Sequence, residues 1–203
     1  MKATAILAAV LATVSLGCAT TSGTRTPGTP LPTAIRNQMA SHDAVAWSAT
    51  RRLSWTDFQG IAPTRGDESA LTAYSLFHGA TCNGRTFQFT VIAGFLPRQS
   101  WVRAAVLDNP ATSSRTLRHE QTHFDLSEVH ARRMRRYFAE LFEPCMKTTE
   151  ELGSLAQRFV REEGAAQRKY DEETSHGRVP KKQAEWDAEV GRQLASLGKF
   201  QEQ

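Results

Sequence analysis

From Ser113 to Phe142 nothing in the sequence interrupts a helix. Leu117, Phe124, Ala131, Met134, Phe138 and Leu141 recur at helical spacing until Pro144 ends the run. Ser114 is placed to cap its start. Arg132, Arg133, Arg135 and Arg136 are expected on the solvated face. Within the first turns lies His119-Glu120-Gln121-Thr122-His123, an HExxH pattern. Residues i and i+4 project from one helix face about a turn apart, so both imidazoles can reach one zinc ion. The carboxylate of Glu120, next to the first histidine, can then take a proton from a zinc-bound water.

What precedes this helix reads differently. Phe87, Phe89, Val91 and Ala93 alternate with Gln88, Thr90 and Ile92, which is a strand. Residues 71–78 form a second strand, and the Asn83-Gly84 between them marks a hairpin. Residues 47–60 are expected as an extended strand ending in a turn at Gly60, and Gln99 to Val102 as another short strand. The free edge of the strand at 86–93 would suit an extended peptide. A second helix is expected from Lys147 to Thr174, stopping near Gly177, and a third after Pro180. Strands followed by helices define an α+β fold: a small antiparallel sheet, then the long HExxH helix and two further helices, zincin-like in outline.

The first residues are an address. Met1-Lys2 precedes an apolar stretch through Leu16, and the uncharged run is too short for the roughly 20 residues of a spanning helix. The segment ends Leu16-Gly17-Cys18, resembling a bacterial lipobox, with Cys18 as the lipidated residue. Residues 1–18 are therefore read as a signal peptide and 19–43 as a Thr/Pro/Gly-rich tether. The folded domain is expected over 44–200. This implies a cell-envelope protein, on the periplasmic face of an outer membrane if the host is Gram-negative. The alternative is soluble export. The two remaining cysteines, Cys82 and Cys145, suit a disulfide in an exported domain. A formal charge of +4 argues for no nucleic-acid partner, and no phosphate loop or stacking platform accompanies it.

Zinc needs a third protein ligand. Val129 stands where a metzincin would place its third histidine, and His130 lies roughly 10 Å beyond His123 along the axis. If the second helix folds back antiparallel, residues 167–173 regain the level of the two histidines. Three candidates follow: His176, Glu173 and Asp171, with reach and ligand chemistry favouring His176. Tyr170 is a candidate oxyanion donor. Asp125 and Asp171 are candidates for orienting a ligating imidazole from behind.

With these residues in view, the chain resembles a bacterial family catalogued as domain of unknown function 922, whose members are proposed to be secreted zinc-dependent proteases. The resemblance rests on Trp47-Ser48, residues 52–60, Ser100-Trp101-Val102, residues 119–125 with Glu128, residues 170–177, Gln183 and Trp186. The expectation is an exported zinc metallohydrolase, a peptidase with Glu120 as general base. The alternatives are a peptidoglycan amidase or endopeptidase, and a non-catalytic envelope lipoprotein stabilised by zinc.

Overall fold

A computed structural model describes residues 31–201; the expected leader, Cys18 and the first part of the tether lie outside the described residues. The tether does not extend to residue 43. Leu31–Ser41 forms helix α1, and its Ile35 and Met39 are buried against Phe77, Ile92 and Leu96. Apolar residues one turn apart gave this segment a face to bury despite its polar neighbours.

The β-rich half is built around one hairpin. Strands β3 (Tyr74–Asn83) and β4 (Thr86–Phe95) pair antiparallel along their whole length, from Tyr74 opposite Phe95 to Asn83 opposite Thr86. Gly84 in the connection takes a φ of +60°, a conformation open to glycine without steric cost. Strand β1 (Val45–Ala46) flanks β4 on the other side, giving the order β1-β4-β3. β2 (Ala70–Leu71) and β5 (Trp101–Val102) form a separate antiparallel pair.

Two expectations are corrected here. Residues 47–60 are not a strand: pairing stops at Ala46, and a 3-10 turn at Trp55–Asp57 is capped reciprocally by Ser54 and Asp57. Nor is the C-terminal half of β4 an open edge. The backbone N–H of Trp47 donates to the Ala93 carbonyl, and Arg135 donates to that of Val91 at 2.7 and 3.0 Å.

The helical half begins with a single turn, α2 (Ala104–Leu107), and then the long helix α3 (Pro110–Ala139). Its cap is Asn109, whose side chain accepts from the Thr112 N–H, with Pro110 in the first turn. The cap expected at Ser114 therefore moves back by five residues to Asn109, because proline is pre-organised for the first helical position. Helix α4 (Thr149–Thr174) opens with a Thr148/Glu151 capping box, and α5 (Pro180–Ser196) follows.

α3 is the central element. Phe124, Ala131, Met134 and Phe138 pack on Val91, Ala93 and Phe95 of the sheet, while Leu126 and Val129 pack on Tyr170 and Val190 of α4 and α5. From residue 119 to 132 every side chain is buried except half-buried His123. The arginine face is accordingly not all solvated. Arg132 and Arg135 turn inward, each donating to Glu128 at 2.9 Å, because buried guanidinium groups need such partners. Cys82 and Cys145 form a disulfide that pins the β3 end to the loop after α3. Among the described residues no helix is long and apolar enough to cross a membrane.

Candidate metal centre

The HExxH turns of α3 face α4 at the expected level. His119 Nε2 and His123 Nε2 lie 3.1 Å apart, and Asp171 Oδ1 lies 3.1 Å from the first and 3.0 Å from the second. His176 Nδ1 is 3.4 Å from the same carboxylate oxygen. His119, Asp171 and His176 each offer a donor atom within 4.8 Å of the others, a cluster able to hold a metal ion. His123 joins it through its contacts with His119 and Asp171.

Three atoms with lone pairs cannot sit this close without a proton or a cation between them. In the metal-free protein a proton fills that role. Burial opposes the charge on His123, but the hydrogen bond to Asp171 and its negative charge raise the imidazole to about 9. Burial alone would raise the Asp171 carboxyl, yet hydrogen bonds from His119 and His123 hold it well below the usual carboxylate range.

The imidazoles are aimed by two glutamines that the sequence did not single out for this. His119 Nδ1–H donates to Gln183 Oε1 at 3.1 Å, and His123 Nδ1–H donates to Gln167 Oε1 at 2.6 Å. The orientation of each amide is fixed by what its nitrogen donates to. Gln183 donates to Asp187 at 2.7 Å, and Gln167 donates to Glu163 at 2.7 Å and to the His123 carbonyl at 2.9 Å. With both Nδ1 positions donating to glutamine carbonyls, each Nε2 is the ring atom left to face the cluster, available to a cation once its own proton has gone.

Glu120 is buried, and its Oε2 has no hydrogen-bond partner among the described residues. An orphaned carboxylate oxygen beside a ring of donors is costly unless a further group binds there. Thr72 Oγ1 donates to the backbone carbonyl of Glu120 at 3.2 Å, tying this turn to the end of β2.

The structure separates the other candidates. Asp171 contacts both imidazoles, and His176, the favoured candidate, stands with it and His119 among the possible metal donors. α4 stays helical to Thr174, so Asp171 keeps level with the histidines, whereas His176 lies beyond the helix end at the rim, its side chain 49% exposed. Ser175, His176 and Gly177 all take positive φ, turning the chain sharply there. Gly177 packs so closely that a Cβ on it would stand 3.0 Å from His119. Glu173 points away, accepting from Trp186 Nε1 at 2.9 Å. Tyr170 is not a solvent-facing donor. It is fully buried, its hydroxyl lies 2.9 Å from Gln183 Oε1, and its ring stacks on His119 at 4.7 Å.

Asp125 does not orient an imidazole. It accepts from Trp47 Nε1, Gln121 and Arg52, fastening the 47–58 segment to the opposite face of α3. His130 is buried apart from the cluster, and burial pushes it down to about 4.

The family described as "Bacterial protein of unknown function (DUF922)" matches residues 62–177, a span that holds His119, Glu120, His123, Asp171 and His176. No curated protein and no solved structure matches the chain. With a match over more than half its length, the chain belongs to this family of bacterial proteins of unknown function.

Proposed function

We propose that the protein is a zinc-dependent hydrolase acting on peptides at the bacterial cell envelope, tethered there through Cys18. One observation carries the reading. Two Nε2 atoms and a carboxylate oxygen converge within 3.1 Å, and on the same helix turn the buried Oε2 of Glu120 lacks a partner. Two imidazoles and a carboxylate are a donor set that suits zinc in its catalytic, three-ligand form.

His119, His123 and Asp171 would hold the ion. When bound, zinc supplies Lewis acidity, polarising a carbonyl and lowering the pKa of water towards 7. The chain's own residues do the rest. Glu120 Oε2 accepts the proton of the attacking water and later returns it to the leaving amine. Thr72 holds the Glu120 main chain, and the stacked Tyr170 ring keeps His119 from turning. His176, half-exposed at the rim, is placed to meet the substrate.

Replacing Glu120 by Gln tests this reading. Hydrolysis of unfolded protein or peptide should fall at least a thousandfold, while zinc content and melting temperature stay unchanged. Cleavage of purified sacculi in preference to protein would reassign the substrate to peptidoglycan.

A second reading rests on the 3.4 Å approach of His176 to Asp171. With His176 as a fourth ligand the site would close, and a closed tetrahedral site is structural. In that case Glu120→Gln leaves every phenotype intact, and His176→Ala lowers stability in step with zinc affinity.

A further inference from the structure

Behind each histidine stands the same device, built twice from different helices. On α4, Glu163 Oε1 accepts from the amide nitrogen of Gln167, whose carbonyl takes the Nδ1–H of His123. On α5, Asp187 Oδ1 accepts from the amide nitrogen of Gln183, whose carbonyl takes the Nδ1–H of His119. In both pairs carboxylate and glutamine are four residues apart, one above the other on a helix face. Among the described residues neither carboxylate hydrogen-bonds or ion-pairs with a histidine.

A glutamine side chain presents two nearly identical ends, and only its other partners decide which end faces a neighbour. Turned round, the amide would offer N–H to Nδ1. The imidazole would then carry its proton on Nε2, where it cannot ligate a cation. An ionised carboxylate only accepts, so in that form it forces the NH₂ towards itself and leaves the carbonyl for the histidine.

Resting on the zinc-site reading above, we propose that Glu163 and Asp187 are positioning residues. By fixing the amide orientation of Gln167 and Gln183, they set the tautomer of His123 and His119 and thereby the cation affinity of the site.

The burial of Glu163 supports this. It is 3% exposed, beside the buried Tyr74 hydroxyl, where a carboxylate is expensive to keep for stability alone. Asp187 is anchored from two further sides, by Arg118 and by Thr122 Oγ1 at 2.7 Å, so its oxygen cannot swing away from Gln183.

The test uses zinc itself as probe, with the full chain and a competing chelator to read affinity. Glu163→Met and Asp187→Leu remove the acceptor. Glu163→Gln and Asp187→Asn remove the charge but keep an acceptor oxygen. The first two should bind zinc about 10–100-fold more weakly, the range for partners that orient metal-ligating histidines. The second two can still accept but no longer only accept, so they should lose affinity by less than the apolar pair. Metal-free Glu163→Met should melt no lower than native, which separates positioning from a merely structural role. Native-like zinc affinity in Glu163→Met and Asp187→Leu overturns the proposal. So do conservative variants that lose as much as the apolar ones. Should Asp187→Leu fail to fold, the α4 pair carries the comparison alone. A native chain that takes up no zinc overturns the metal reading and this proposal with it, a result distinct from native uptake with unchanged variants.

Discussion

At the residue scale, the proposed ligand pair was legible because such chemistry leaves a mark in the sequence. Histidines four apart with an adjacent glutamate are rare, and helical geometry brings the two rings together. The third donor was legible only as a stretch: antiparallel folding placed residues 167–173 at the right level, but the choice within it turned on where α4 ended. The glutamines left no mark, since an amide holding an imidazole looks like any polar residue on a helix. Glu163 was equally silent, yet its burial has a measurable consequence. Burial lifts its carboxyl from 4.5 to about 7, against the hydrogen bond from Gln167. The folded protein therefore keeps a proton that the unfolded chain releases between those values. This contribution to stability is complete below about pH 4.5 and is lost as pH rises to about 7. At about 1.4 kcal/mol per pH unit, the loss is ~3 kcal/mol. Comparing metal-free Glu163→Met with native protein by urea unfolding, the variant should gain on the native by ~3 kcal/mol across that interval. A difference that stays flat with pH contradicts the assignment.

At the element scale, the hairpin and the three long helices were read from period and punctuation, and their boundaries moved by at most five residues, at the start of α3 and the end of β3. α1 was missed because residues 31–43 follow a Thr/Pro-rich run that disguised Ile35 and Met39. Strand β4 held the signal: Ile92 sits on the face its neighbours Gln88 and Thr90 give to solvent, and an apolar residue there needs a cover. α1 is that cover. Truncating Ile35 to Ala should cost about 3 kcal/mol in chemical unfolding, as for other buried aliphatic deletions. Zinc affinity should be unchanged, because α1 packs across the sheet from α3. A cost below about 0.5 kcal/mol would show α1 to be a passenger. The inward turn of Arg132 and Arg135 was hidden for another reason. A charged residue at helical spacing reads as surface until a buried partner such as Glu128 is known.

At the scale of the whole molecule, three layers meet along α3: α1 and the sheet on one side, α4 and α5 on the other. The cluster lies where α3 meets the end of α4 and the start of α5. A helix buried on nearly every side can hold its histidines rigidly, which is what a cation site asks of its scaffold. In the proposed site this seam grips one metal ion through His119, His123 and Asp171. Anomalous diffraction at the zinc edge, from crystals of the zinc-loaded protein, shows whether it does. One strong peak per chain within bonding distance of both Nε2 atoms and an Asp171 oxygen is the predicted result. No peak, or a peak bound elsewhere while the two imidazoles still hydrogen-bond to Asp171, would contradict it.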